Sequence, residues 1–154
     1  MNPISKIAMV CIAVCGVGAS AQTRVGTFDR QSIVVAYYRS PMWAAELKAK
    51  KAEHDAAVQA GDDKKAEELA RWGGEHQQLA HRQLAGEAPI TNIVEALQPA
   101  LTEISKSANV ERIVAEAPAG GNVEIVDVTD RILDWLKADE QTRKIIQELR
   151  ANRK

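Results

Sequence analysis

Apolar positions along the chain switch between a period of two and a period near 3.6. Arg24 to Asp29 alternates apolar with small or polar residues, which predicts a strand. From Gln31 to Tyr38, Ile33, Val34, Ala36 and Tyr37 suit a short buried helix. A continuing strand is the alternative, because β-branched residues are dense there. Ser40 can cap the next helix, and Pro41 fits its first position, where a missing N–H costs nothing.

The middle of the chain is helical in pattern. Between Met42 and Ala60, Ala45, Ala49, Ala52 and Ala56 recur at spacings of four, three and four. Such a face lets a partner backbone approach closely. Gly61-Asp62-Asp63 signals a turn, and Lys64 to Ala85 resumes the pattern, with Ala66, Leu69, Gly73, Ala80 and Leu84 near one stripe. Residues 42–85 are therefore expected to form an antiparallel helical hairpin, each arm on the order of 30 Å long. The alanine face is expected to meet the second arm, so that leucine at Ala49 or Ala52 would overpack the seam by about 1–3 kcal/mol. Gly73-Gly74 weakens the second arm by about 1 kcal/mol per glycine and reads either as a joint or as a packing device.

Gly86 to Pro89 ends this region. Ile90, Ile93, Val94, Leu97, Leu101 and Ile104 then repeat at helical spacing, with a kink expected at Pro99. Val110 to Ala117 and Val123 to Val126 read as strands joined by a turn at Pro118 to Gly121. Asp127 to Asp130 opens another helix, its acidic residues suited to the positive end of the dipole. Residues 139–154 continue as a charged amphipathic helical tail carrying Ile145, Ile146 and Leu149. The pattern thus predicts an α+β fold, a small sheet body bearing a coiled-coil-like helical hairpin.

The first twenty-one residues change the setting. Lys6, the apolar run Ile7 to Cys15, and Ala19-Ser20-Ala21 read as an export signal cleaved between Ala21 and Gln22. The run is short for a bilayer span, which needs about 20 residues; a retained anchor is the alternative. Both cysteines, Cys11 and Cys15, fall in that segment, so the mature chain would have no thiol chemistry. Residues 22–138 are expected to be one domain. Loss of Lys6 moves the formal net charge from −1 to −2, which is no field for a dedicated nucleic-acid binder. No apolar run after residue 21 has membrane-spanning length.

Candidate chemistry is sparse. His76 and His81 are five apart, which does not bring both imidazoles to one helix face, and no HExxH or cysteine cluster accompanies them or His54. The glycine-rich stretch 119–122 joins strands and opens no helix, so it is no phosphate cradle. No nucleophile elbow occurs. Neither a catalytic site, nor a metal, nor a cofactor is expected. The large apolar residues of the arms, Met42, Trp43, Leu47, Trp72 and Leu79, are the candidate binding surface, since Trp and Met suit contact with many sequences. For Trp43 and Trp72 the alternative is an anchor between arm and body.

The order of these elements is similar to the OmpH/Skp family of periplasmic chaperones. The resemblance is carried by Val25-Gly26-Thr27-Phe28-Asp29, by Ile104 to Ala108, by Val110-Glu111-Arg112-Ile113-Val114, and by Val123 to Leu133 with its Asp127-Val128-Thr129 step. It implies a short-armed member: an exported, periplasmic homotrimer whose arms hold unfolded outer-membrane or envelope proteins. An envelope scaffold with one defined partner on the same fold is the alternative; an enzyme or small-ligand carrier is the third reading.

Overall fold

A computed structural model describes residues 22–120 and 122–153. The export segment, including Ala21 of the expected cleavage site, lies outside the described residues, which begin at Gln22. The described chain is mixed helix and strand. Strand β1 (Thr23–Thr27) stops where Asp29 turns its carboxylate to accept the N–H of Ser32, capping helix α1 (Arg30–Tyr38). The strand thus ends two residues earlier than its alternation suggests, and the ambiguous stretch after it is helix. Ser40 caps α2 (Pro41–Gln59) by accepting from Trp43 N–H, with Pro41 in the first turn. Asp62 caps α3 (Asp63–Ala85), which ends on Gly86 at φ +83°, a conformation glycine adopts without strain.

The kink expected at Pro99 is a break. Helix α4 (Thr91–Ala96) stops, and α5 (Gln98–Ser107) starts with Pro99 in its first turn. Strand β2 is shorter than predicted, only Arg112–Val114, and β3 spans Val123–Asp127. Helix α6 (Thr129–Trp135) follows the Asp127 side chain, which accepts from both N–H and O–H of Thr129.

The sheet order is β2-β1-β3, and both outer strands run parallel to β1. The segment between β2 and β3 is therefore a crossover past β1, not a tight turn between neighbours. Gly26 is paired with Ile113 and Val126, and a Cβ on it would point at Val110 and Val128. That side carries the core, where Ile33, Ile93, Ile132 and Val128 are fully buried. Val25 points the other way, as strand alternation requires. It is fully buried, but its registered neighbour Ile125 is 44% exposed.

Helices α2 and α3 pack on each other across the turn at Gly61, φ +69°. Among their described side chains only Ala57 and Gln83 are buried. Ala45, Ala49, Ala52 and Ala56 are all exposed, which corrects the expected seam. The residues turned toward α3 are Trp43, Lys50, His54 and Ala57, in the same four-three rhythm displaced by two positions. Two positions are about 200° around a helix, so the alanines lie on the opposite side. The larger set wins because an indole and the stems of lysine and histidine cover more apolar area than methyl groups. Leucine at Ala49 or Ala52 would meet solvent, and the overpacking expected there does not arise. Lys50 pairs with Glu53 at 3.2 Å.

The expected tail forms α7 (Glu140–Ala151), capped by Asp139 and packed on α1. Ile146 is 2% exposed within the core. Arg39 donates to Thr142 Oγ1 at 3.0 Å, Arg150 to Ser32 Oγ at 3.0 Å, and Arg153 to both oxygens of Asp29 at 2.5 and 2.6 Å. Among the described residues no helix is long and apolar enough to cross a membrane.

Candidate client-binding groove

The root of α3 is tied to the body by one buried amide. Gln83, fully buried, accepts from Tyr38 O–H at 2.8 Å and donates to Pro89 carbonyl and Asn92 Oδ1 at 2.7 and 2.6 Å. Gln31 donates to the Leu84 carbonyl at 3.1 Å, and Arg30 to the Ala88 carbonyl. These bonds fix the base of α3 against α1, where the chain enters α2.

From that base a run of rings climbs into the helix pair. Tyr38 meets Tyr37 and Trp43 edge to face at 5.2 and 5.1 Å. Trp43 stacks with Trp72 at 6.0 Å and with His76 at 5.8 Å, and Trp72 and His76 are 4.2 Å apart. Offset contacts of this kind are each worth about 0.5–1.5 kcal/mol beyond area burial. His76 Nδ1 lies 2.8 Å from the Trp72 carbonyl, which holds the ring against the indole when that nitrogen carries the proton. Burial first, and the charge of Glu46 after it, push the Tyr37 hydroxyl above its ordinary range; burial also leads the rise at Tyr38. The Tyr38 hydroxyl stays the donor to Gln83 at neutral pH.

Two hollows open along this seam. One, of about 310 Å³, is walled by Tyr38, Trp43, Trp72 and His76. The next, of about 290 Å³, is rimmed by Lys50, Lys51 and His54 over Leu69 and Ala70. They share Leu47, Trp72 and Gly73 as lining, so they adjoin along one seam, taken together as the groove. No acidic side chain lines either. Helix α3 runs unbroken through Gly73 and Gly74, and a Cβ on Gly73 would have nothing within 4 Å. The glycine leaves the groove floor open.

The five candidate residues therefore separate. Trp43, Leu47 and Trp72 come together on the groove, with Leu47 48% exposed. Trp43 also contacts Tyr37 and Tyr38 of α1, as its alternative reading requires. Met42, 36% exposed, faces a different hollow of about 480 Å³ with Trp135 and Leu136. Leu79 is half-buried and lines none of these hollows. Sequence reasoning missed Tyr38, His76, Lys51 and His54. The available signal was spacing: His76 is four residues after Trp72, hence on its face. Among the described residues no group of three or more His, Cys, Asp or Glu is placed to hold a metal.

No protein-family model, no curated protein and no solved structure matches this chain.

Proposed function

We propose that the chain is an exported, periplasmic holdase that binds unfolded outer-membrane or envelope proteins as a homotrimer. The observation that carries this reading is the open aromatic groove on a helix pair that contributes little to the core. Trp43 and Trp72 stay half-buried and adjoin an exposed Leu47, so the apolar surface is contiguous there and not scattered singly. The exposed α2–α3 pair then acts as a projecting antiparallel arm that offers this surface to chains lacking a fold of their own.

The sheet supports assembly. All-parallel sheets are normally covered on both faces, and here helices pack on the Gly26 side while the other face is only partly covered, with Val25 buried and Ile125 exposed. The outer edges of β2 and β3 add unpaired backbone groups that a second chain would satisfy. Three copies arranged around these sheets follow the OmpH/Skp resemblance.

One observation favours the scaffold alternative. The apolar surface is concentrated in a single defined groove, as a site for one partner would be.

Static light scattering separates the two. An outer-membrane porin diluted from urea aggregates, and the mature protein is expected to suppress that aggregation with an endpoint near three protomers per porin chain, while sedimenting alone at three times the protomer mass. A scaffold would leave the aggregation curve unchanged. A monomer at tens of micromolar would remove the trimer.

A further inference from the structure

We propose that the groove selects unfolded segments in which an aromatic side chain is followed, three or four residues on, by a carboxylate. This rests on the holdase reading and names the client chemistry it takes. The aromatic end is walled by Trp43, Trp72 and His76, faces suited to offset stacking with a client ring. The other end is basic. Lys50 is engaged by Glu53, and His54 Nδ1 lies 3.3 Å from Asp55 Oδ1, which leaves Lys51 as the cation for a ligand. No carboxylate lines the groove itself, and the two beside its rim, Glu53 and Asp55, are taken up by Lys50 and His54. Lys51 is eight positions along α2 from Trp43, about 12 Å at 1.5 Å per residue. An extended client covers about 3.4 Å per residue, so three or four residues span that distance. Gly73 keeps the passage between the two ends clear, because any side chain there would enter the shared part of the groove. A glycine inside an exposed helix is less favourable than a residue with a side chain, so filling the position stabilises the helix while closing the site.

The test uses fluorescence anisotropy with rhodamine-labelled peptides on a glycine-serine background. The parent carries one phenylalanine and an aspartate three residues later. One variant replaces the phenylalanine by alanine, another the aspartate by asparagine. Loss of the ring is expected to weaken binding about tenfold, as burial of one aromatic side chain implies. Loss of the carboxylate weakens it about three- to fivefold at low salt and hardly at all at high salt. Gly73→Leu is expected to weaken the parent peptide about tenfold while raising Tm, so lost binding is not lost folding. Ala49→Leu, on the exposed opposite face, binds as the wild type does. The proposal is overturned if the parent peptide does not bind, if Gly73→Leu binds it as tightly as wild type, or if the asparagine peptide matches the parent at low salt. Suppression of porin aggregation by Gly73→Leu at the wild-type level, with peptide selectivity absent, leaves the holdase standing and removes the groove's role. Selective peptide binding by a wild-type protein that fails to suppress aggregation supports the groove and transfers it to the scaffold reading.

Discussion

Asp29→Ala is expected to lower the unfolding free energy by about 2–3 kcal/mol, a Tm drop of roughly 5–10 °C. One residue joins three parts of the chain, two of them through its carboxylate. It caps α1 through the Ser32 N–H and hydroxyl, and it accepts two bonds from Arg153 at the end of α7, with Arg150 3.7 Å away. The backbone N–H of the same residue donates to Thr129 Oγ1 at 2.8 Å, which the substitution leaves intact. Loss of the cap accounts for about 1 kcal/mol. The remainder is the ion pair, which is partly screened because Arg153 is 45% exposed. Urea unfolding measures the change; an unaltered midpoint would mean that α7 is not held by this contact.

The same residue sets an acid limb. Burial alone would raise the Asp29 carboxyl, but hydrogen bonds from Arg153 and Ser32 outweigh burial and hold it at about 2. The folded value lies below the unfolded one of about 3.9. Its contribution is therefore complete above about pH 4 and is lost as pH falls toward 2, on the order of 1–2 kcal/mol after screening by solvent. Asp29→Asn is expected to remove that slope while keeping most of the cap.

Gly26→Val is expected to cost about 2–4 kcal/mol, although valine is the better strand former. A Cβ at this position would sit 2.8 Å from Ile113 Cγ1, 3.3 Å from Val110 Cγ2 and 3.5 Å from Val128 Cγ1. Val110 and Val128 are buried at 7% and 0% and have nowhere to move. Ile113 is half-buried and can shift, so Gly26→Ala is expected to cost only about 1 kcal/mol. The branched methyls of valine reach the buried pair as well. A valine variant as stable as wild type in urea would contradict the placement of β1 over this core.

Local chemistry in the sequence was readable where one residue decides the outcome. Ser40-Pro41, Gly61, Gly86 and the Asp127-Thr129 step each mark a boundary found in the fold, because capping and φ constraints act within a few residues. Tertiary choices were less readable. The stripes Ala45/49/52/56 and Trp43/50/54/57 have the same period, so periodicity cannot say which meets α3; side-chain area decides, through contacts far along the chain. The parallel order β2-β1-β3 was hidden for a related reason. A short glycine-rich link between two strands usually implies adjacency, yet β1 offers two free edges and takes one strand on each. The groove was half visible. Trp43, Leu47 and Trp72 stand out in an alanine-rich region, whereas His76 and Lys51 read as solvated until α2 and α3 are brought together.

The most direct measurement of the arm as a client surface is tryptophan emission from single-tryptophan proteins. Trp135 is replaced by Phe, and Trp43 and Trp72 are retained one at a time. Both indoles are half-buried, so emission is expected at an intermediate wavelength before any client is added. Addition of an unfolded outer-membrane protein is expected to shift Trp72 to the blue, because a client ring entering the groove covers its remaining exposed face. Trp43, already packed against Tyr37 and Tyr38, is expected to shift less. Emission from both that does not move at saturating client would contradict the account and leave the two residues as packing between arm and body.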